Sequence, residues 1–295
     1  ASAEIYDPTS ETWTLTSTHL TVPRANQTAT LLPSGQVLVA GGFRDGPGAI
    51  STVEFYNPVS GGWSVDSNSL NVKRWGHTAT LLASGSILIT GGVEQNMQST
   101  ELYDGSTGGF WTNTSGLSMA RSPHTATLMP DGRVLVAGGT AQGVPAVSSS
   151  MEIFDPTNQT WTATGPLQSG RYDHTATLLP NGKVLIAGGV SVGGASQWVT
   201  NAELYDFTTG KSTNTGSLVP GRNGHSATLL RSGKVLVVGG FAALVEGGGV
   251  DGYFDRAELY DSKVGTWIST GSLNVARWDH TATLLQDGRV LVAGG

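Results

Sequence analysis

Three kinds of side chain that could do chemistry recur at regular intervals along the sequence. Each of six segments carries an arginine and a glutamate, and most carry a histidine three residues after the arginine. The arginines are Arg24, Arg74, Arg121, Arg171, Arg222 and Arg277. The glutamates are Glu4, Glu54, Glu101, Glu152, Glu203 and Glu258. The histidines are His77, His124, His174, His225 and His280, with Gln27 in the remaining place. Carboxyl groups can act as a general acid and base, and imidazoles can hold a metal ion.

The six-fold repetition of these side chains argues against both kinds of chemistry. Acid–base catalysis needs carboxyl groups in contrasting environments, whereas equivalent glutamates share one environment. Metal ligands must converge on one ion at about 2 Å, whereas a repeat disperses its histidines. We therefore predict no catalytic residue, no metal site and no cofactor. We expect the glutamates and arginines to form charged pairs or hydrogen bonds, and the histidines to form structural hydrogen bonds.

The elements that position these side chains follow from the same repeat. Six Gly-Gly pairs occur at intervals of 50, 47, 50, 51 and 55 residues. They are Gly41-Gly42, Gly91-Gly92, Gly138-Gly139, Gly188-Gly189, Gly239-Gly240 and Gly294-Gly295. An apolar strand such as Val184-Leu185-Ile186-Ala187 precedes each pair, and a two-residue turn such as Asn181-Gly182 connects it to the strand before. A Glu-x-Tyr-Asp run and a tryptophan mark two further strands, so each segment predicts four short strands.

The composition limits the class of protein. The chain has 295 residues, a formal net charge of −6, 16 basic residues and no cysteine. Disulfides, thiolate metal sites and cysteine nucleophiles are therefore excluded, and no basic surface for nucleic acid is evident. No apolar run approaches 18 residues, so we expect no membrane insertion. The chain begins and ends within a repeat, from which we expect an excerpt of a longer protein. The compartment stays open, with an extracellular or cell-surface setting favoured.

The combination of motifs resembles the kelch repeat. The Gly-Gly pair, the Glu-x-Tyr-Asp run and a tryptophan nine or ten residues after the glutamate recur over essentially the whole chain. The resemblance implies an all-β fold, a six-bladed β-propeller of four-stranded antiparallel blades. Residues 1–295 then form a single domain whose inner strands begin near residues 27, 77, 124, 174, 225 and 280. The first residues supply two outer strands and the last residues two inner strands. We expect these to form a closing 2+2 blade shared between the N- and C-termini.

Tryptophans on the predicted outer strands are expected to pack in the core and join the blades. They are Trp13, Trp63, Trp111, Trp161 and Trp267. Ser212 takes this place in the fifth segment, where we expect a looser outer edge.

Residues that differ between segments are the better candidates for function. Trp75, Tyr172 and Trp278 directly follow the arginine in alternate segments, where the other segments have small residues. The kelch resemblance implies that this connection shares a ligand-binding face with the loop after the second strand. It also implies that arginines at the matching position contact acidic peptides in substrate-recruiting kelch proteins. We therefore predict a shallow ligand surface of the six arginines together with Trp75, Tyr172, Trp278, Trp198 and Tyr253. The acids Asp173 and Asp279 lie beside it in sequence. The alternative is that the rings only cover the mouth of the central channel.

Several loops add to the asymmetry of this predicted face. They are Phe43-Arg44-Asp45, Glu94-Gln95-Asn96, Gln197-Trp198 and the insert from Phe241 to Arg256 with its run Gly247-Gly248-Gly249. Long loops on a rigid scaffold are where function is usually located. The glycine run lacks a following helix and a lysine, so flexibility explains it better than a phosphate loop.

The first functional hypothesis is a non-catalytic binding module for a protein or glycan ligand, monomeric as a domain and without nucleic-acid partners. The second is a sugar-modifying enzyme similar to kelch mutarotases. The third is a structural spacer of a surface protein. Copper-radical oxidases similar to galactose oxidase need a thioether-linked Cys-Tyr pair, and this chain has no cysteine.

Overall fold

The computed structural model describes residues 2–46, 48–93, 98–105, 109–140, 147–192, 198–242 and 252–295. It divides into two compact units. The first comprises Ala1–Ser122 with Phe154–Trp161, and the second comprises Pro123–Ile153 with Thr162–Gly295. Among the described residues, no helical segment has the length and hydropathy needed to cross a membrane.

Short strands account for all the regular structure that positions the candidate site. The strands up to residue 113 are β1 (Glu4–Asp7), β2 (Thr12–Leu15), β3 (Thr28–Leu31), β4 (Val37–Ala40), β5 (Phe43–Arg44), β6 (Gly48–Ala49), β7 (Val53–Asn57), β8 (Gly62–Val65), β9 (Thr78–Leu81), β10 (Ile87–Thr90), β11 (Thr100–Asp104) and β12 (Phe110–Asn113). The strands after residue 113 are β13 (Thr125–Leu128), β14 (Val134–Ala137), β15 (Met151–Asp155), β16 (Thr160–Thr164), β17 (Thr175–Leu178), β18 (Val184–Ala187), β19 (Asn201–Asp206), β20 (Lys211–Ser217), β21 (Ser226–Leu229), β22 (Val235–Val238), β23 (Phe241–Ala242), β24 (Gly252–Tyr253), β25 (Ala257–Asp261), β26 (Thr266–Ser269), β27 (Thr281–Leu284) and β28 (Val290–Ala293).

Within the described ranges, five four-stranded sheets carry the repeat. Their strand orders are β3-β4-β7-β8, β9-β10-β11-β12, β13-β14-β15-β16, β17-β18-β19-β20 and β21-β22-β25-β26. Chain neighbours pair antiparallel, as in the register of Leu185 with Leu204 across β18 and β19. Four two-stranded sheets accompany them, namely β1-β2, β5-β6, β23-β24 and β27-β28. The prediction of four short antiparallel strands per repeat is therefore confirmed for these five segments.

The first hairpin of each repeat turns through three residues and not the two that the sequence suggested. In the first repeat, Leu32 N donates to Gln36 O at 2.8 Å and Gly35 N donates to Leu32 O at 2.9 Å. Gly35 has a φ of 84°. This is the three-residue hairpin in which a glycine in the left-handed region follows a tight turn. The Ser-Gly and Asp-Gly pairs mark the right place, but one more residue precedes them in the loop.

The second strand of each sheet forms the core, as its continuous apolar run predicts. All four residues of β14 and all four of β18 are buried. In the second unit, Leu185 and Ala187 of β18 pack in one cluster with Val235 and Val237 of β22. A strand covered on both faces explains why these runs do not alternate with polar residues.

The outer-strand tryptophans each pack on an aromatic ring of the third strand. Their ring centroids lie 4.9–5.3 Å apart in the pairs Tyr6–Trp13, Tyr56–Trp63, Tyr103–Trp111, Phe154–Trp161 and Tyr260–Trp267. Where Ser212 replaces tryptophan, the outer strand β20 is seven residues long and Ser212 Oγ donates to Glu203 at 2.6 Å. The hydroxyl thus satisfies a buried carboxylate, and the looser edge at Ser212 stays a prediction.

The terminal strands form separate two-stranded sheets, β1-β2 and β27-β28. Each contains the half-repeat that the sequence assigned to it. Their union in a closing blade stays a prediction.

Candidate functional site

The repeated arginines lie inside the protein and pair with the repeated glutamates. The guanidinium nitrogens lie 2.6–2.7 Å from a carboxylate oxygen in the pairs Arg24–Glu54, Arg74–Glu101, Arg171–Glu203 and Arg222–Glu258. The arginine side chains in these pairs are at most 2% exposed. The predicted charged pairs are confirmed for these four repeats.

The hydrogen bonds of Arg171 show how completely these guanidinium groups are used. Arg171 donates to Ser169 O and Gly188 O, twice to Asn201, and to Glu203, which accounts for its five N–H bonds. Arg24 and Arg74 likewise make five bonds each. Such groups have no donor left for a ligand. We therefore do not include the arginines among the proposed ligand contacts.

Of the remaining arginines, Arg121 and Arg222 are buried in the same way and Arg277 is not. Arg222 makes four hydrogen bonds, and its guanidinium carbon lies 5.2 Å from the ring centroid of Phe254. Arg121 is fully buried. Arg277 is partly exposed and donates to Gly294 O at 2.6 Å.

Three of the glutamates, Glu54, Glu101 and Glu203, also hold the chain segment that leads to the paired arginine. Glu203 accepts hydrogen bonds from Gln168 N at 2.8 Å and Ser169 N at 3.2 Å. Glu54 does the same for Thr21 and Val22, and Glu101 for Asn71 and Val72. The repeated carboxylates thus fix the connections between repeats and are not arranged as an acid–base pair.

The histidines form structural hydrogen bonds, as predicted. Their Nε2 atoms lie 2.8–3.0 Å from a hydroxyl oxygen in the pairs Thr28–His77, Thr125–His174, Thr175–His225 and Ser226–His280. Burial, together with the charges of neighbouring Arg222 and His280, lowers the pKa of His225 to about 3. The imidazole is therefore neutral at physiological pH. Among the described residues, no group of three histidine, aspartate or glutamate side chains is placed to hold a metal ion.

Four aromatic rings of the second unit pack against one another, and they belong to residues that differ between the repeats. We call Trp198, Phe241, Tyr253 and Trp278 the aromatic cluster. The Phe241 centroid lies 6.2 Å from Trp198, 5.7 Å from Tyr253 and 5.9 Å from Trp278. The Tyr253 and Trp278 rings lie 5.9 Å apart at 31°. Tyr253 is 55% exposed and Trp278 38%, so the cluster presents ring surface to solvent.

Short backbone ladders position the aromatic cluster. Asn223 and Phe241 exchange two backbone hydrogen bonds of 3.0 and 2.9 Å. Phe241 pairs in turn with Tyr253 in the sheet β23-β24. The residue after the arginine is therefore joined to the residue after the Gly-Gly pair. Tyr172 and Val190 repeat this exchange one segment earlier, and Val190 is also bridged to Trp198.

Two aspartates stand next to the aromatic cluster. Asp279 directly follows Trp278, and its backbone N donates to Gly224 O at 2.8 Å. A Cβ at Gly224 would lie 2.8 Å from Asp279 Oδ1 and 3.2 Å from the Trp278 ring, so glycine makes room for both. Burial raises the pKa of Asp279. Burial also raises the pKa of Asp173, the charge of Asp279 adds to that rise, and a hydrogen bond from the Asn223 side chain opposes it.

Both aspartates adopt the left-handed backbone conformation. The φ angle is 52° at Asp173 and 50° at Asp279. In three of the other repeats the equivalent residue is Gly76, Gly224 or Asn26, types that adopt this region more readily, and in the remaining repeat it is Pro123. The aspartates are therefore not the residues that the backbone favours most there.

The sequence-predicted aromatic residues are only partly brought together. Trp198, Tyr253 and Trp278 meet in the aromatic cluster, and Tyr172 is connected to it through Val190. Trp75 lies in the first unit, where its ring centroid is 5.8 Å from Phe43. Glu94-Gln95-Asn96, Gln197 and residues 243–251 of the long insert, including Gly247-Gly248-Gly249, lie outside the described residues.

Phe241 and Asn223 are the site residues that the sequence prediction missed. The sequence marks Phe241 only as the start of a long insert, yet its ring contacts all three other rings of the aromatic cluster. Its position directly after Gly239-Gly240, matching that of Phe43 in the first repeat, was the available signal. Asn223 was grouped with small residues, and its backbone pairing is not visible in the sequence.

Comparisons with known proteins agree with this architecture. The model of the KLHDC2/KLHL20/DRC7 Kelch-repeats domain matches residues 76–295. A search of curated proteins gave no match. The solved structure of YjhT is similar with a TM-score of 0.69 and 18% identity, covering 88% of each chain. A fungal alcohol oxidase of the AA5 family, solved in complex with copper, has a TM-score of 0.59 and 19% identity, covering 92% of this chain and 70% of the oxidase.

The structural likenesses are of low identity and bear on the fold alone. They support an all-β kelch-type propeller fold built from four-stranded antiparallel sheets. The family model spans about three quarters of the sequence, and its boundaries include the repeats that build the aromatic cluster. The chain belongs to the kelch-repeat family.

Proposed function

We propose that this chain is a non-catalytic binding domain that recognises a protein or glycan ligand through its aromatic cluster. The exposure of Tyr253, which lies on a short hydrogen-bonded ladder, and of Trp278, whose ring packs beside it, carries this proposal. Exposed aromatic rings offer large contact area with little conformational freedom to lose, which suits recognition. They also stand on connections that differ between repeats, which is where scaffold proteins usually carry function.

The contacts of the repeated polar residues support a non-catalytic role. The paired arginines, glutamates and histidines are buried in hydrogen bonds that hold the repeats together. A catalytic group must reach its substrate. Kelch domains generally mediate protein interactions, which agrees with a binding role.

The test is ligand capture on peptide and glycan arrays, comparing Trp278→Ala and Tyr253→Ala with the unchanged domain. We expect both variants to lose binding while the melting temperature stays within a few degrees, because neither residue belongs to the buried core. Trp13→Ala is the matched control, since Trp13 is 47% exposed on β2 and lies outside the aromatic cluster. Unchanged capture by the Trp278 and Tyr253 variants would refute this site.

A second candidate, a sugar-modifying enzyme, is favoured by the neighbouring carboxyl groups of Asp173 and Asp279. Burial raises the pKa of both, and they differ in surroundings because only Asp173 has a hydrogen bond from Asn223. Two carboxyl groups in different environments can act as acid and base. Anomer exchange of common sugars, followed by NMR, tests this candidate. A rate equal to the uncatalysed rate in the presence of the domain would reject it for those sugars.

Copper chemistry like that of the fungal oxidase does not fit the donor groups of this chain. The sequence has no cysteine, and the described residues hold no cluster of three suitable side chains. We therefore include no metal in the proposed function.

We also propose that residues 1–295 form one six-bladed propeller, closed by a 2+2 blade from the terminal strands, and that the domain is monomeric. The six Gly-Gly pairs and the complementary half-repeats support the blade count. Light scattering after size exclusion measures the mass. A disulfide between cysteines introduced in β1 and β28, formed under oxidising conditions, would support closure, and its failure to form would count against it.

A further inference from the structure

The charge beside the aromatic cluster is negative. Asp173 and Asp279 interact with one another as like charges. The guanidinium groups of Arg171 and Arg222 are bonded to Glu203 and Glu258 instead. Arg277, directly before Trp278, is partly exposed and donates to Gly294 O, so two carboxylates stand against this one cation. Among the ion pairs of the described residues, neither Asp173 nor Asp279 has a basic partner.

Asn223 adds an unused acceptor next to these carboxylates. Asn223 is 7% exposed, and its side-chain amide donates a hydrogen bond to Asp173. Its Oδ1 atom is buried without a hydrogen-bond partner. A buried polar atom without a partner destabilises a protein unless something supplies the missing bond. The polar groups at this place therefore comprise two carboxylates and the Asn223 carbonyl oxygen, all of which are hydrogen-bond acceptors.

We propose that the aromatic cluster and the carboxylates of Asp173 and Asp279 bind a positively charged side chain, lysine or arginine, of a partner protein. The inference rests on the proposed binding function and names the ligand that the site selects. A lysine or arginine has a charged end that donates hydrogen bonds and an apolar stem that packs on rings. The site offers both kinds of contact in adjacent residues, Trp278 and Asp279.

The geometry matches such a side chain in two respects. The Trp278 ring and the Asp279 carboxylate both lie against Gly224, so the ring surface and the negative charge are adjacent. Tyr253 lies beside Trp278 at a shallow angle of 31°, which widens the ring surface for an aliphatic stem or a cation. The charge preference is opposite to the one that the kelch resemblance implied, because Arg171 and Arg222 are buried in ion pairs and the aspartates lie beside the cluster.

NMR titration of the intact domain tests the proposal. The probes are Nα-acetyl-lysine methylamide, Nα-acetyl-arginine methylamide, the matching glutamate compound and methyl glucoside. The readout is the Trp278 indole N–H signal, assigned by its absence in Trp278→Phe. We expect the lysine and arginine compounds to shift this signal and the other two to leave it in place. Added salt should weaken the effect, because screening reduces the attraction between partly exposed charges.

The second part of the experiment removes a charge at the site by substitution. Asp279→Asn should weaken binding of the basic compounds by about fivefold, the scale of one partly exposed charge pair. Asparagine tolerates the left-handed backbone at this position, so the variant should fold. Asp173→Asn provides a second variant. Asp287→Asn is the matched control, because Asp287 lies in the turn at the far end of the same hairpin and pairs with Arg289.

The outcomes separate this inference from the proposed function. A shift of the Trp278 signal by the glutamate compound or the glucoside, equal to or larger than that by the basic compounds, overturns the charge assignment and leaves binding at the cluster standing. Equal weakening by Asp279→Asn and Asp287→Asn also overturns it. If no compound shifts Trp278, the inference fails, and the Trp278→Ala array experiment decides the proposed function independently.

Discussion

Arg171 Nη2 lies 2.6 Å from Glu203 Oε1 in the second unit, and neither side chain is exposed to solvent. This ion pair joins the segment before β17 to the third strand of the same sheet, since Glu203 also accepts from Gln168 N and Ser169 N. The repeat therefore uses its charges to fasten the connection between sheets.

Loss of one partner of this pair should strongly destabilise the fold. Glu203→Gln leaves a buried guanidinium without its counter-charge, for which we expect a loss of about 3–5 kcal/mol in the free energy of unfolding. Urea unfolding followed by tryptophan fluorescence measures it. Lys183→Gln is the matched control, because Lys183 pairs with Asp206 at 3.4 Å on the surface and should cost less than about 1 kcal/mol. Equal losses for both variants would contradict the structural role assigned to the pair.

Gly188 is the first residue of a repeated Gly-Gly pair, and close contacts in the structure explain why a glycine stands there. A Cβ there would lie 2.6 Å from Arg222 O and 2.5 Å from His225 Cε1, and its φ is 66°. Gly188→Ala should therefore cost more than about 2 kcal/mol, the range of overpacking combined with an unfavourable backbone angle. Thermal unfolding measures the loss.

Gly182, in the turn of the same hairpin, separates the cost of the backbone angle from the cost of close contacts. Its φ is 81°, but an added Cβ would meet only ordinary contacts at 3.6 and 3.8 Å. Gly182→Ala should cost about 1 kcal/mol from the backbone angle alone. A cost at Gly188 no larger than that at Gly182 would argue against the close approach of Arg222 and His225.

The buried histidines predict acid sensitivity of the fold. The pKa of His225 is lowered from 6.5 to about 3 in the folded protein. Below pH 6.5 the unfolded chain therefore binds a proton that the folded chain does not. The free energy of unfolding should fall by up to about 1.4 kcal/mol per pH unit between pH 6.5 and 3 for this residue.

The variant His225→Gln tests this pH dependence, since Gln27 occupies the equivalent place in the first repeat. The variant should fold, and its stability should decline less steeply with acid than that of the unchanged chain. Urea midpoints measured at intervals from about pH 7 to about pH 4 give the slope. Parallel slopes would mean that His225 does not take up a proton on unfolding.

The sequence predicted the fold better than the site, for physical reasons. Gly-Gly pairs, turn glycines and apolar runs act through local conformation and burial, and they marked β14 and β18 correctly. The direction of a side chain depends on what packs around it. Arg171 and Tyr172 are sequence neighbours, yet the arginine is fully buried and the tyrosine only partly so.

The aromatic cluster depends on contacts across long sequence distances. Phe241 is joined to Asn223 by backbone hydrogen bonds, and its ring meets Trp278 37 residues away. Backbone pairing does not depend on side-chain identity, so the composition of either segment did not indicate it.

Phe241 should control ligand binding without a large role in stability. Its ring contacts Trp198, Tyr253 and Trp278, so Phe241→Ala removes the common support of the exposed rings. The ring is only partly buried, and we expect a loss of about 1–3 kcal/mol in the free energy of unfolding. Ligand capture on the arrays should fall as far as in Trp278→Ala, because the rings lose their relative orientation. Phe43→Ala is the control, since Phe43 follows a Gly-Gly pair in the same way but its ring meets Trp75 in the first unit. If Phe43→Ala reduces capture as much as Phe241→Ala, recognition is not confined to the aromatic cluster, and the ligand surface must include Trp75.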